Sequence, residues 1–323
     1  MDLIYTDARH VDQGVLSAYS LDLSFGEDQN ENDFELVLGN NDAQLEDDAV
    51  IYFEGTEYGG IVDGLKTNSE SDTRTYIGRT WHGILNNKVI QPDPGKSHLV
   101  VSGDANAVLE FLIDRLGLSD LFIADKHSSG VTITKYQFNR YCLAYDGIRA
   151  MLADFGGKLM MRWEEGSVRM YAERIVNDAD SALDNDVAQL LVERYGNKVN
   201  HLICLGQGEL TERTVIHLYV DQFGRIGDVQ YYTGLREIVS VYDYSSAESE
   251  DDLRTNGIKR LKELRENDKV DVSVNDSSEI VYDIGDVITA HDVNSGNSGS
   301  ATVIQKIVQI KNGTVSINYK TGR

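Results

Sequence analysis

Residues 73–98 read TRTYIGRTWHGILNNKVIQPDPGKSH, and the change of pattern inside this stretch divides the chain. Its first eight residues, TRTYIGRT, alternate apolar and polar side chains with a period of two, the signature of a half-buried strand. Its last eight, QPDPGKSH, hold a glycine and both prolines of the chain, Pro92 and Pro94. Proline fixes its own φ and pushes the preceding residue out of the helical region, so residues 91–98 read as a linker. A new folding unit is expected directly after it.

Upstream, VLSAYSLDLSF (15–25), DFELVLG (33–39) and AVIYFEGTEYGGIVDGL (49–65) share the period of two between Gly, Asn and Asp turns. Residues 1–98 are therefore expected to form an antiparallel barrel or sandwich. Downstream, Ser102 or Asp104 is placed to cap a helix with Val108, Leu109, Leu112 and Leu116 on one face and Gly117 at its stop. A second helix carries Ile148, Met151, Leu152 and Phe155 and ends at Gly156 and Gly157. KLMMRW, the turn EEG and SVRMYAERI then predict a hairpin over 158–175, so residues 99–194 read as an inserted α+β module.

Strand pattern returns in DVAQLLVERYG (186–196), NKVNHLICLGQG (197–208) and LTERTVIHLYVD (210–221). Strands from 195 to 240 are expected to complete the first barrel. An aromatic-rich connection follows, and a connecting helix is placed within 241–267, starting near Ser249, with Leu253, Ile258, Leu261 and Leu264 on its apolar face. Residues 268–323 alternate again in VDVSV, EIVYDIGDVITAHD, GSATVIQKIVQI and TVSINYK, which predicts a small C-terminal β-barrel. The fold class is α+β, mainly β.

Fifty-three acidic and 30 basic side chains give a formal charge of −23. Phosphate contacts need clustered Lys and Arg, so no nucleic-acid binding is expected; the densest basic run, KRLKELR (259–265), is one leucine-interleaved helix face. The N-terminus carries charges where a signal peptide needs an apolar run, and no window reaches the roughly 20 apolar residues of a membrane span. No membrane insertion is expected, and the chain is expected to be made soluble in a reducing compartment. Cys142 and Cys204 lie alone in apolar stretches, as free buried thiols rather than a disulfide.

The histidines, His10, His82, His98, His127, His201, His217 and His291, form no HExxH or other metal-ligand spacing, and no phosphate loop or nucleophile elbow is present. Gly206, Gln207 and Gly208 read as a bulge or hairpin turn. Glu164 and Glu165, beside Trp163, are the best local candidates for a glycosidase pair, but a turn between strands places them in water. The acidic stretches 26–33 (GEDQNEND) and 248–252 (ESEDD) depart from the calcium-loop pattern and read as a loop and a helix start. No catalytic, cofactor-binding or metal-ligating residue is therefore expected, and no cofactor. Among 17 tyrosines, Tyr219, Tyr231, Tyr232, Tyr242 and Tyr244 lie near connections and suggest a subunit contact.

Three stretches, YIGRTWHGILNNKVIQPDPG (76–95), residues 209–264 from ELTERTVIHLYVD to GIKRLKEL, and YDIGDVITAHDVNSGNSGSATVIQKIVQIKNGTVSINYKTGR (282–323), resemble the tail-hub family of long-tailed bacteriophages. That family comprises the siphophage tail-associated or baseplate hub proteins and is similar to the T-even baseplate hub. The resemblance implies two small β-barrels separated by an α/β insertion. It also implies a homotrimer that closes the distal end of the tail tube in the virion, with no catalytic residue to carry over. Implied partners are the distal tail or tube protein, the tape measure protein, and tip or fibre proteins. Two other readings stand beside it: a tail-associated cell-wall hydrolase built on a carboxylate pair, and a carbohydrate-binding adhesion module using Trp81, Trp163 and surface tyrosines.

Overall fold

The computed structural model describes residues 2–28, 30–177, 188–193, 198–265, 269–274, 281–292, 297–311 and 313–322. It divides into two compact units, Met1–Leu190 with Asp271–Arg323, and Leu191–Val270.

The alternating stretches of the first 80 residues become strands of one sheet in the first unit. In spatial order these are Asp12–Leu16, Leu3–Thr6, Val50–Tyr52, Gly59–Thr67, Thr73–Thr80, Asp33–Gly39 and Tyr19–Gly26. The alternation maps onto burial: Leu21, Leu23, Phe25, Phe34, Leu36, Leu38 and Tyr76 turn inward into one core. The sheet continues into the C-terminal segment, because Asn297–Lys311 pairs antiparallel with Tyr19–Gly26, from Gln305 opposite Gly26 to Lys311 opposite Ser20. Val287–Asp292 and Thr314–Gly322 then flank Asn297–Lys311, making ten strands among the described residues. Among the described residues, the strands Val287–Asp292, Asn297–Lys311 and Thr314–Gly322 thus extend the N-terminal sheet instead of forming a sheet of their own. Their inward-phase Val308 and Ile310 join the same core as Leu21 and Leu23, and the 20–26 edge would otherwise be left unpaired.

Between these parts sits the inserted module. The sequence reading gives no helix in WHGILN, but Thr80 accepts from the Gly83 amide and starts helix α1 (Trp81–Asn86). As expected, Asp104 caps α2 (Ala105–Leu116), accepting from the Asn106 amide at 2.9 Å, and Gly117 closes it with φ +67°. Ser102 instead accepts from the Lys135 amide. Helix α3 (Ala144–Asp154) follows, and the hairpin pairs Gly157–Glu164 with Ser167–Arg174 around a turn in which Glu165 and Gly166 both have positive φ. Leu109, Leu112, Ile148, Met151, Leu152, Met161 and Met170 share a core with Val50, Tyr52, Trp81, Leu85 and Ile90. The module's packing therefore begins before the proline linker. Gly59 makes this possible, since a Cβ there would stand 2.6 Å from the Trp81 ring.

In the second unit, Ile226–Gly227, Val215–Val220, His201–Leu205 and Val239–Asp243 form a four-stranded sheet in that order, the last pairing being parallel. Helix α4 (Glu250–Arg265) covers one face. Leu253 and Leu261 are buried with Leu202, Cys204, Leu218 and Val220, and Gly257 lets the helix approach Cys204. Ser249 accepts from the Asp252 amide while Asp252 accepts from the Glu248 amide, both at 3.1 Å, a reciprocal cap. None of these strands enters the ten-stranded sheet, so strands from 195 to 240 do not complete the first barrel. They have a helix of their own to bury their apolar face. The helix within 241–267 is accordingly the covering layer of this sheet and more than a connector. The strand expected over 186–196 is described only at Ala188–Glu193; its other residues, and the domain limits expected at 194 and 268, lie outside the described residues.

Candidate functional site

The most unusual chemistry lies inside the first unit, where five charged side chains from three distant parts of the chain converge. Glu57 comes from the turn between Val50–Tyr52 and Gly59–Thr67, Lys158 from the first strand of the hairpin, and Asp283, Asp286 and Lys306 from the C-terminal segment. The Lys306 ammonium binds the Glu57 carboxylate and Asp283 Oδ1 at 2.9 Å. The Lys158 ammonium binds Asp283 Oδ2 at 3.0 Å and Asp286 Oδ2 at 2.7 Å. Asp286 also accepts from the Asp283 and Val176 amides, both at 2.9 Å.

Side-chain exposure is 2% for Lys306, 4% for Lys158 and 1% for Asp286, so these ions have left water and depend on one another. Burial opposes charge on Lys306, but Glu57 and Asp283 outweigh it and raise its pKa above the usual lysine value; Lys158 is raised likewise by Asp283 and Asp286. Burial also opposes the Asp283 carboxylate, yet Lys306 and Lys158 hold its pKa below the usual range. Glu57 is the exception, with burial raising its pKa against the pull of Lys306. Ammonium groups held protonated cannot serve as nucleophiles or bases, and Asp283 is held as an acceptor. The arrangement ties three segments together.

His82 lies beside this network, buried, edge-on to Phe25 at 5.1 Å and to Tyr145 at 5.5 Å between ring centroids. Burial, then the Lys306 and Arg149 charges, push its pKa down to about 3, so it is neutral. Burial likewise pushes the Tyr58 hydroxyl up to about 12.

The residues singled out from sequence fall elsewhere. Glu164 is clasped between Arg162 and Arg169, and Glu165 donates its amide to Glu54 Oε1 at 3.1 Å. Trp163 and Trp81, 2% and 0% exposed, stack at 5.4 Å between centroids, and Trp163 stacks on Tyr52 at 4.5 Å. A stack buried in the core offers no platform to a sugar ring, so the carbohydrate reading loses both tryptophans. In the 26–33 loop, Glu27 pairs with Arg149, Asp28 caps Asn30, and buried Asn32 bonds the Gly26 amide and carbonyl. Asp251 and Asp252 belong to the first turn of α4. Among the described residues, no three His, Cys, Asp or Glu side chains are grouped to hold a metal ion.

Gly206 donates to the Thr214 carbonyl and Gly208 has φ +102°, the expected turn. Both cysteines are free, and burial pushes the Cys204 thiol up to about 11. His201, in contrast, joins a small polar group: its Nδ1 lies 2.7 Å from Glu237 Oε1, its Nε2 lies 2.8 Å from His217 Nδ1, and its ring stacks on Tyr219. Tyr242 stacks on Tyr244, and Tyr231 meets Tyr232 edge-on. No described helix is long and apolar enough to cross a membrane.

The network itself escaped the sequence reading, although a trace of it was present. Lys306 shares the inward phase of its strand with Val308 and Ile310, where a lysine needs buried carboxylates; YDIGD, residues 282–286, supplies two.

No protein-family model matches the chain, and no curated protein matches it in sequence. Solved structures do match over its whole length. Prophage tail protein gp18 from Listeria monocytogenes EGD-e has a TM-score of 0.54 at 12% identity, covering 100% of this chain and 95% of that one. The 43 kDa tail protein of prophage MuSo2 from Shewanella oneidensis has a TM-score of 0.55 at 10% identity, with 100% and 98% covered. A chain of the phage P2 baseplate, in its activated conformation with Ca, has a TM-score of 0.51 at 11% identity, with 99% and 98% covered. The chain therefore has the fold of these phage tail and baseplate proteins.

Proposed function

We propose that this chain is a structural component of a phage or prophage tail: a homotrimeric hub that closes the distal end of the tail tube and joins it to the tip or baseplate. The observation that carries this reading is the end-to-end match with tail and baseplate chains. The buried ion network is in keeping with it, since its hydrogen bonds tie three distant segments of the chain together. The proposed role is not enzymatic and needs no cofactor.

In the same proposal, the β-strands of 1–98 and of 287–322 form one continuous body through the ladder of 305–311 with 20–26, three copies of which ring the end of the tube, and the inserted module points towards the tip. The partners are the distal tail or tube protein, the tape measure protein, and tip or fibre proteins. Antibody labelling of purified particles tests the placement. Label at the tail end opposite the head supports it, and label absent from tails, or spread along the tube, refutes it.

A further inference from the structure

His201 and His217 stand on neighbouring antiparallel strands of the second unit, where His201 pairs with Tyr219 and Ile203 with His217. Leu202, Cys204, Leu218 and Val220 fill the face under α4, so alternation puts both imidazoles on the opposite face of the sheet. There His201 Nε2 and His217 Nδ1 lie 2.8 Å apart.

The tautomer of each ring follows from its partners. A carboxylate oxygen can only accept, so His201 donates its Nδ1–H to Glu237 Oε1 across 2.7 Å. The neutral ring keeps a bare lone pair at Nε2, and the His217 Nδ1–H lies against it. Glu237 Oε1 also accepts from Gln230 Nε2 at 2.8 Å, while Tyr219 stacks on the His201 ring at 4.4 Å between centroids. His201 is thus held from two sides, whereas His217 is exposed.

We propose that His201 Nε2 and His217 Nδ1 together bind one divalent transition-metal ion of the zinc and copper class, which takes the place of the hydrogen between them and clamps the two strands. His217 moves its hydrogen to Nε2, so both rings stay neutral and no proton is released. Imidazole nitrogen selects this class over magnesium and calcium, which need oxygen ligands. A histidine that ligates through one nitrogen commonly donates its other N–H to a carboxylate, which fixes the tautomer and raises the basicity of the ligating nitrogen. Glu237 stands in that place behind His201.

Bonds of about 2.0–2.1 Å at tetrahedral angles separate two ligand nitrogens by roughly 3.3 Å. The pair must therefore open by roughly half an ångström, which a turn of the exposed His217 ring supplies. Water completes the coordination, because among the described residues no third His, Cys, Asp or Glu is grouped with the pair. The chain's net charge of −23 favours the approach of a cation. The ion has a structural task only, and the inference is independent of the tail-hub reading.

The test is isothermal titration of the full-length chain with zinc chloride, in a non-chelating buffer with excess magnesium to occupy surface carboxylates. One zinc site per chain is expected. His217→Ala, at an exposed position, should weaken it by about tenfold or more with an unchanged circular dichroism spectrum, and His201→Gln should do the same. Glu237→Ala should weaken it about tenfold without removing a ligand. With Cu2+ as the probe, electron paramagnetic resonance should show two coordinated nitrogens in the parent chain. No zinc site in the presence of magnesium, a site that survives both His217→Ala and His201→Gln, or a copper spectrum with a single nitrogen would overturn the proposal, leaving the contact a hydrogen bond alone. Unchanged affinity in Glu237→Ala would overturn the positioning role given to that carboxylate.

Discussion

Lys306 and Glu57, 249 residues apart in sequence, meet as an ion pair inside the protein, with only 2% of the lysine side chain exposed. The pair ties the C-terminal segment to a turn of the N-terminal sheet, and Asp283 extends it to Lys158 in the inserted module. Removing one partner leaves the others buried without compensation.

Lys306→Met should therefore destabilise the first unit by about 3–5 kcal/mol. The chain's two tryptophans, Trp81 and Trp163, both belong to this unit, so tryptophan fluorescence during urea unfolding reports on it selectively. Adding Glu57→Gln to Lys306→Met should recover part of the loss. A cost below about 1 kcal/mol, the range of exposed pairs, would mean the network is solvated.

His82 predicts a pH dependence. Its folded-state pKa, about 3, lies below the ordinary 6.5, so the unfolded chain binds the proton more readily. The contribution of neutral His82 is complete above pH 6.5 and is lost as pH falls from 6.5 towards 3. Stability of the parent minus that of His82→Gln should decline steadily across this window. A difference that stays flat would place His82 in contact with water.

Deleting residues 268–323 should do more than remove a terminal domain. The strand Asn297–Lys311 would vanish from beside Tyr19–Gly26, and Glu57 and Lys158 would keep buried charge without partners. The truncated chain is expected to be insoluble, or to lose the sharp urea transition of its tryptophans. A soluble product with unchanged tryptophan emission would show that residues 1–267 fold alone.

Local order was legible in the sequence, whereas long-range pairing was not. Asp104, Gly117, Ser249 and the Gly166 turn each do locally what their residue types dictate, because capping and left-handed turns depend on a few adjacent residues. Alternation also marked the strands of 1–80 correctly. It cannot say which strand pairs with which, since a period of two records facing and burial but no partner. Hence alternation predicts a separate barrel over 268–323 and places strands from 195 to 240 in the first barrel, whereas the described strands of these segments pair otherwise. The ion network failed for the same reason, because its members are scattered from Glu57 to Lys306. Glu164 and Trp163 drew attention as neighbours in sequence, yet arginines and the aromatic core had already engaged them.

Glu164→Gln, Glu165→Gln and His201→Ala, made singly in the particle, should leave infectivity at the parental level, because none of these residues stands in a catalytic constellation. Plaque counts on matched particle numbers measure this. A variant that is folded and assembled but non-infectious would assign chemistry to the substituted residue.

A cryo-electron microscopy map of the intact particle tests the central claim most directly. The account predicts three copies of this chain in a ring at the distal end of the tail tube, together carrying three times the −23 formal charge of one chain, with residues 99–177 directed towards the tip. A tail tip holding two or six copies, or a map in which this chain occupies no part of the tail, would contradict it.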